Sequence, residues 1–387
     1  MRSNGIPQFV IKNNFQKRNE HYSDILTEDI LKDICRKVTG LDTYTVEFDN
    51  SDYNIGRLAL LEHNNTISYI SFSDPSPDGR NSSFQSVTSA LSRFILDTKG
   101  NKKIFFYFLP PSSNIETKYF VFMYRVMKSA GIDFLNDWSV LTQTVRPFST
   151  VEDIITARNI NREYNRSNNS TFITRSSEYE SQIYGKMYGA NKYETTLLGV
   201  ALSYLSTEVE IYQVSEGDLT ELPKTSQDAL NSLRNVRLIA SDFSMERKEF
   251  SKQDNLRSPL YIYNLLYKLG PKRCALCDCE IPELIQGAHI WPISEIKKVP
   301  GVNIDKKLRW ATDGDNGLWL CENHHKMFDA HLITIKETGN IEYPDSLEEN
   351  HKKFIIETTP HRTLEPNILS SKFLIYLRKR LSIQTLL

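Results

Sequence analysis

Two pairs of soft ligands, Cys274-x-x-Cys277 and Cys321-x-x-His324, constrain this chain more than any other feature of its sequence. A C-x2-C turn aims both thiolates at one point, and a C-x2-H pair brought alongside completes a tetrahedron, the ligand set of a structural zinc. Closing the long loop between the pairs costs an entropy that grows only slowly with length. A structural zinc returns on the order of 10 kcal/mol, enough to hold a small domain with little core of its own. With all four positions filled by protein, no coordination site is open to a substrate, so this zinc is expected to be structural. Cys279 stands near enough to replace Cys277, although the C-x2-C spacing favours Cys277.

A second constellation lies between and beside these pairs. Residues 286–293 (QGAHIWPI) read as a strand holding His289, residues 316–321 (NGLWLC) as the returning strand beginning at Asn316, and residues 322–330 as a short helix. On that helix His324 and His325 differ by about 100° in direction, so one can reach the zinc while the other points elsewhere. His325 and Asp329 are four residues apart and share a face, offering an imidazole and a carboxylate to a hard divalent cation. A histidine alone is more often a satisfied core residue. Here it stands between two half-sites, with Asn316 and His325 close by in sequence.

From Cys274 to Ile335 these residues resemble the HNH endonucleases of the ββα-metal superfamily, in the zinc-stapled form found in type II restriction enzymes. The resemblance covers a minority of the chain. It implies that His289 is the general base, that Asn316 orients that histidine or its loop, and that His325 binds a catalytic Mg2+ or similar divalent cation. Many members carry an aspartate just before the first histidine, where this chain has Ala288. A branch with an A-H-I-x-P strand and an H-H-x-x-F-D helix is similar to this sequence, and there Asp329 is the natural substitute ligand. A cation at the scissile phosphate would stabilise the developing charge and the leaving oxygen, while a neutral histidine takes the proton from the attacking water.

The 387 residues exceed what one hydrophobic core usually serves, so two or three domains are expected. The boundaries expected are an α/β recognition or assembly domain over 1–145, a helical or mixed DNA-recognition region and linker over 146–257, and the nuclease domain with its zinc over 258–387. The fold class is therefore α+β and multidomain, an N-terminal α/β region followed by a C-terminal ββα-metal domain. The N-terminus has neither the basic start nor the apolar run of a signal peptide, and no apolar run approaches membrane length. Four of the five cysteines fall in the nuclease-like stretch, which suits a reducing, cytoplasmic compartment of bacterial or archaeal type. A net charge of −1 leaves nucleic-acid binding to a local basic groove.

Within the first region, Asn64-Asn65 reads as a hairpin turn, and Phe84, Val87 and Leu91 share one face of a helix. A capping box at Ser149 and Glu152 opens a helix that sends Arg158, Arg162 and Arg166 down one side, among several asparagines. Such a stripe either reads DNA or is a solvated face, and both readings stay open. Gly185, Lys186 and Gly189 lack the phosphate-loop spacing, and a turn accounts for them better. In the same stretch, up to Val214, Glu194, Glu208 and Glu210 are present but no D/E-x-K pair follows a suitable aspartate, which argues against a second nuclease centre of the PD-(D/E)xK kind there. Ser258, Pro259 and Gly270 start and stop a helix whose Leu260, Tyr263 and Leu266 or Tyr267 would pack on the zinc module. Lys297, Lys298, Lys307 and Arg309 are the basic candidates for phosphate contact. A final amphipathic helix carries Arg378, Lys379 and Arg380, which either touch phosphates or face water.

The resemblance thus implies a site-specific double-stranded DNA endonuclease, expected as a homodimer because each such centre cuts one strand, and paired with a cognate methyltransferase. Two alternatives stand beside it: a non-specific or signal-activated nuclease of antiviral defence, and a non-catalytic zinc module that only binds DNA.

Overall fold

A computed structural model describes residues 5–12, 26–49, 58–73, 80–109, 118–136, 145–164, 171–215, 221–252 and 258–384. In chain order the elements of the first region are β1 (Gln8–Ile11), α1 (Glu28–Thr39), β2 (Thr45–Phe48), β3 (Leu58–His63), β4 (Thr66–Ser73), α2 (Arg80–Leu96), β5 (Lys102–Phe108), α3 (Lys118–Ser129), β6 (Asp133–Phe134) and α4 (Val151–Tyr164). Next come β7 (Thr171–Arg175), β8 (Glu180–Lys186), α5 (Asn191–Ser203), β9 (Glu208–Val214), α6 (Lys224–Ser232), β10 (Val236–Ser241) and α7 (Phe243–Lys252). The remainder comprises α8 (Pro259–Leu269), β11 (Ile285–His289), α9 (Ile293–Lys298), α10 (Ile304–Ala311), β12 (Gly317–Cys321), α11 (Glu322–Asp329), β13 (Thr334–Ile335), β14 (Ile341–Glu342), α12 (Glu349–Thr358) and α13 (Ser371–Gln384). No helix among the described residues is long and apolar enough to cross a membrane.

The chain forms two compact units. One contains residues 1–169, 186–211 and 219–238; the other contains 170–185, 212–218 and 239–387. The first is built on a mixed six-stranded sheet, order β2-β1-β3-β4-β5-β6. Asn64 and Asn65 both adopt left-handed backbone, the two-residue turn whose twist matches the flanking strands β3 and β4. The crossover through α2 then makes β4 and β5 parallel. Leu31, Ile34 and Cys35 of α1 cover Phe9, Ile11, Ala59, Leu61, Ile70 and Phe72 of the sheet. Phe84, Val87 and Leu91 are buried, as their helical spacing requires.

The cap of α4 lies one residue beyond the expected Ser149–Glu152 box. Asp153 N–H donates to Thr150 Oγ1 at 3.1 Å, and Thr150 N–H donates to Asp153 at 3.2 Å. Thr and Asp can close this reciprocal pair as Ser and Glu can, so the spacing alone did not choose between them.

The second unit has α8 as its spine. Ser258 caps α8 by accepting from Tyr261 N–H at 3.1 Å, and Gly270 ends it at φ 81°. Leu260, Tyr261, Tyr263, Leu265 and Leu266 are buried in one core with β11, β12 and α11, whereas Tyr267 is exposed. Strands β11 and β12 are antiparallel, with Ile285 opposite Cys321 and His289 opposite Gly317. Glycines open their face to α8. A Cβ on Gly287 would lie 2.6 Å from Leu265, and one on Gly317 would collide with the Tyr261 hydroxyl. The β7–β8 hairpin adds Phe172, edge-on to Tyr263 at 5.2 Å.

Candidate active site and zinc centre

Cys321 closes β12 and precedes α11, so it and His324 project from one turn toward the loop that carries Cys274 and Cys277. The four ligand atoms lie within 4.8 Å of one another. Cys277 and Cys321 sulfurs are 3.8 Å apart, and His324 Nδ1 is 3.1 Å from Cys321 and 3.4 Å from Cys274. A tetrahedron with Zn–S bonds of about 2.3 Å has S–S edges of about 3.8 Å, so the set fits this ion. Cys279 is outside the quartet; its carbonyl accepts from Cys274 N–H at 3.0 Å and shapes the knuckle. Nδ1 of His324 faces the sulfurs, so Nε2 carries the proton toward the buried Thr359 hydroxyl, 3.1 Å away. Burial pushes the Cys277 thiol up to about 12, the Cys279 backbone hydrogen bond opposing and the neighbouring sulfurs adding to the shift, and a dication must reverse this to hold a thiolate.

Along β11 the side chains alternate. Gly287 and His289 face α8, while Gln286 turns to α11. The His289 ring lies flat on Tyr261, with centroids 4.1 Å apart and planes 13° from parallel. Its Nε2 is 2.9 Å from the carbonyl oxygen of Ala311, at the end of α10. A carbonyl only accepts, so Nε2 carries the proton and Nδ1 keeps a lone pair. Burial pushes the His289 pKa down to about 4; the Ala311 carbonyl opposes that shift and the charge of His325 adds to it. The imidazole is therefore neutral at physiological pH, and His325 is near enough to act on it electrostatically.

Asn316 is buried and wholly engaged with backbone. Its Oδ1 accepts from Trp291 N–H at 2.7 Å, and its Nδ2 donates to the carbonyls of Trp291 at 3.2 Å and Trp310 at 3.1 Å. Its own carbonyl accepts from Ile290 N–H at 3.0 Å. These bonds fix the chain leaving His289 against the end of α10.

On α11, His325 Nδ1 meets Gln286 Oε1 at 3.2 Å, and the same amide donates to Glu322 at 3.3 Å. Nδ1 thus donates to the Gln286 oxygen, and Nε2 lies 3.4 Å from Asp329 Oδ2. The His325 side chain is 26% exposed and that of Asp329 60%, so both are open to an incoming cation. One imidazole nitrogen beside one carboxylate oxygen suits Mg2+, which keeps most of its waters and takes few protein ligands. Ala288 is buried, and no carboxylate is present there to join them. His289 is not a member of that ligand pair. Among the described residues, the zinc quartet is the one group of three or more His, Cys, Asp or Glu with ligand atoms within 4.8 Å.

The expected DNA-facing residues divide. Arg158 is 4% exposed and ion-paired with Glu194, itself fully buried, so its guanidinium does not face solvent and cannot clamp a phosphate. The helical stripe pointed this residue inward because α4 packs that face against α3 and its own unit's core. Arg166 and the side chain of Arg162 lie outside the described residues. Lys298 and Arg309 are exposed, Lys298 pairing with Glu295 at 2.7 Å. Lys297 and Lys307 are half-buried, and Lys307 Nζ donates to the Lys297 carbonyl at 2.5 Å. Arg380 also departs from expectation, being buried rather than at the surface. Tyr261, Gln286, Thr359 and Arg380 were not legible as site residues. The glycines at 287 and 317, which leave a slot for an aromatic ring, were the one signal in sequence that pointed to Tyr261.

Two antiparallel strands and a helix, with a Cys3His set at one end, a histidine on the strand and a His–Asp pair on the helix, form a ββα unit. Residues 274–336 match the model of the family described as HNH endonuclease, and the Cys3His set, which could hold a metal ion, is consistent with a zinc-stapled HNH domain there. No curated protein matches the chain.

Proposed function

We propose that this protein is a site-specific double-stranded DNA endonuclease of restriction type, hydrolysing one phosphodiester bond at each HNH centre. The observation that carries the reading is the state of His289: its Nε2 is committed to the Ala311 carbonyl, its Nδ1 lone pair is kept, and burial holds it neutral. In this reading Nδ1 takes the proton of the attacking water as the new P–O bond forms and the P–O bond to the sugar oxygen breaks. His325 and Asp329 would hold a divalent cation, which when bound would offset the negative charge on the phosphoryl oxygens and on the departing oxygen. Asn316 acts through the backbone, keeping His289 and the loop after it in register with α10. Lys298 and Arg309, with Lys297 and Lys307 behind them, supply positive charge for DNA phosphates.

A single centre cuts one strand, so a homodimer on a palindromic site accounts for double-strand cleavage. The compact first unit, whose described residues include no such ligand set, would read sequence or hold the dimer, and a methyltransferase of matching specificity would protect the host. The reaction is tested by incubating purified protein and Mg2+ with a mapped plasmid. Discrete fragments with common end sequences are expected, and none with His289→Ala. A smear would instead support the non-specific defence nuclease, and binding without cutting in any divalent metal would reduce the domain to a zinc DNA-binding module.

A further inference from the structure

The family match ends at residue 336, yet α13 grips the ββα unit from well beyond it. Near the start of α13, Ser370 Oγ donates to Asp315 at 2.6 Å, Tyr376 Oη donates to Asp313 at 2.7 Å, and Lys372 pairs with Asp313. These contacts fix the turn immediately before Asn316. Near its other end Arg380 points inward, 2% exposed. Its Nη1 donates to the carbonyl of Ile290 at 3.3 Å and its Nη2 to the carbonyl of Phe328. Its Cζ sits 3.6 Å from the centre of the Phe328 ring, and Nη2 is 4.0 Å from the Asp329 carboxylate.

Ile290 follows His289 and Phe328 precedes Asp329, so one planar side chain spans the joint between the strand end and the helix end. Removing a guanidinium from water is costly, and an apolar side chain would fill the same volume more cheaply. Burial pushes the pKa of Arg380 down to about 10, which marks that cost. Part of it is offset by the last carbonyls of α11, where the helix dipole is negative, and by the face of the Phe328 ring. An arginine is the side chain that meets two carbonyls at a fixed angle while lying flat on a ring.

We propose that Arg380 is a positioning residue for DNA cleavage, one that sets the separation between the His289 imidazole and the His325–Asp329 pair by locking the end of β11 to the end of α11. The proposal rests on the nuclease reading above and adds a residue outside the HNH segment. Arg380 acts through the carbonyls of Ile290 and Phe328 and beside the Asp329 carboxylate, not on the reacting atoms.

The test uses the full chain with zinc bound and its histidines carrying 13C at Cε1. In the wild type, Mn2+ is expected to broaden the signals of both His325 and His289. In Arg380→Met, of similar length and uncharged, His325 should still broaden while His289 loses much of its broadening. The single-turnover cleavage rate should fall about 100-fold, the cost of a misplacement near 1 Å, with zinc content and DNA affinity without added divalent cation unchanged. Arg380→Lys keeps the charge but not the fork, and should lose at least about 10-fold. Wild-type broadening and rate in Arg380→Met would overturn the proposal, as would full activity in Arg380→Lys. A lower melting temperature with a normal rate per folded molecule would reduce Arg380 to a structural brace. Absence of Mn2+ broadening and of cleavage in the wild type would overturn the nuclease reading itself, and this inference with it.

Discussion

Tyr261 lies flat beneath His289 at 4.1 Å, and its hydroxyl donates to the carbonyl of Ala288 at 3.2 Å, so one side chain supports both the ring and the backbone of the candidate base. Tyr261→Phe keeps the platform and loses one buried hydrogen bond, worth about 1 kcal/mol. It should cleave within a few-fold of wild type. Tyr261→Ala removes the platform and opens a core cavity, costing about 3 to 5 kcal/mol. Thermal unfolding together with cleavage below the new melting temperature separates the two effects, and cleavage by Tyr261→Ala at the wild-type rate would contradict the platform.

On the proposed mechanism, the neutral state of His289 sets the acid limb of activity. Its folded pKa, about 4, lies below the ordinary 6.5, so at pH 5 to 6 the folded protein still holds the imidazole unprotonated while the unfolded chain takes up a proton. Its contribution to stability is therefore full above about pH 6.5 and is lost as pH falls toward 4. At saturating Mg2+, which suppresses protonation of the metal-binding pair, the cleavage rate should show no limb from this base near 6.5. A pH–rate profile at several Mg2+ concentrations checks this; a metal-independent pKa near 6.5 would show that His289 is not the base.

How much of this was legible beforehand follows from the range of each interaction. Cys274, Cys277, Cys321 and His324 announced themselves because metal ligation fixes residue type and short spacing together. Ser258 and Gly270 likewise mark α8, since caps are local chemistry. Arg158 was misread because a four-residue spacing gives a face but not what covers it, and Glu194, 36 positions on, lies in another helix. Thr359, just past the end of α12, and Arg380 on α13 lie in segments whose sequences carry no ligand spacing, so nothing local distinguishes them from other threonines and arginines. Helices α9, α10 and α12 are short and lack the long apolar periodicity that the sequence reading relied on.

Thr359 offers a measurement on the zinc centre that does not depend on catalysis. Its hydroxyl fixes the tautomer of His324, and loss of such an outer partner commonly weakens metal binding about 10- to 100-fold. Thr359→Val should therefore surrender zinc to a competing chelator at correspondingly lower chelator concentration. Cys321→Ser should not hold zinc at all, and its second unit should lose its cooperative unfolding transition in calorimetry. Equal zinc affinity in Thr359→Val and wild type would show that the hydroxyl only fills space.

Arg158 and Arg309 provide opposite tests of where DNA is met. Arg158→Met strands the fully buried Glu194 without its ion-pair partner, a loss of about 3 to 5 kcal/mol. The melting temperature should drop sharply, while DNA affinity of the folded protein stays as it was. Arg309 is exposed on α10, the helix that ends at the Ala311 carbonyl bonded to His289, so Arg309→Ala should leave the melting temperature in place. If it contacts a phosphate, its removal should weaken DNA binding and lower the slope of log affinity against log salt by about 1. Binding titrations over a range of salt concentrations, run beside melting curves for both variants, distinguish the two roles; reversal of the pattern would mean that the first unit's helix, not the nuclease domain, carries the DNA contact.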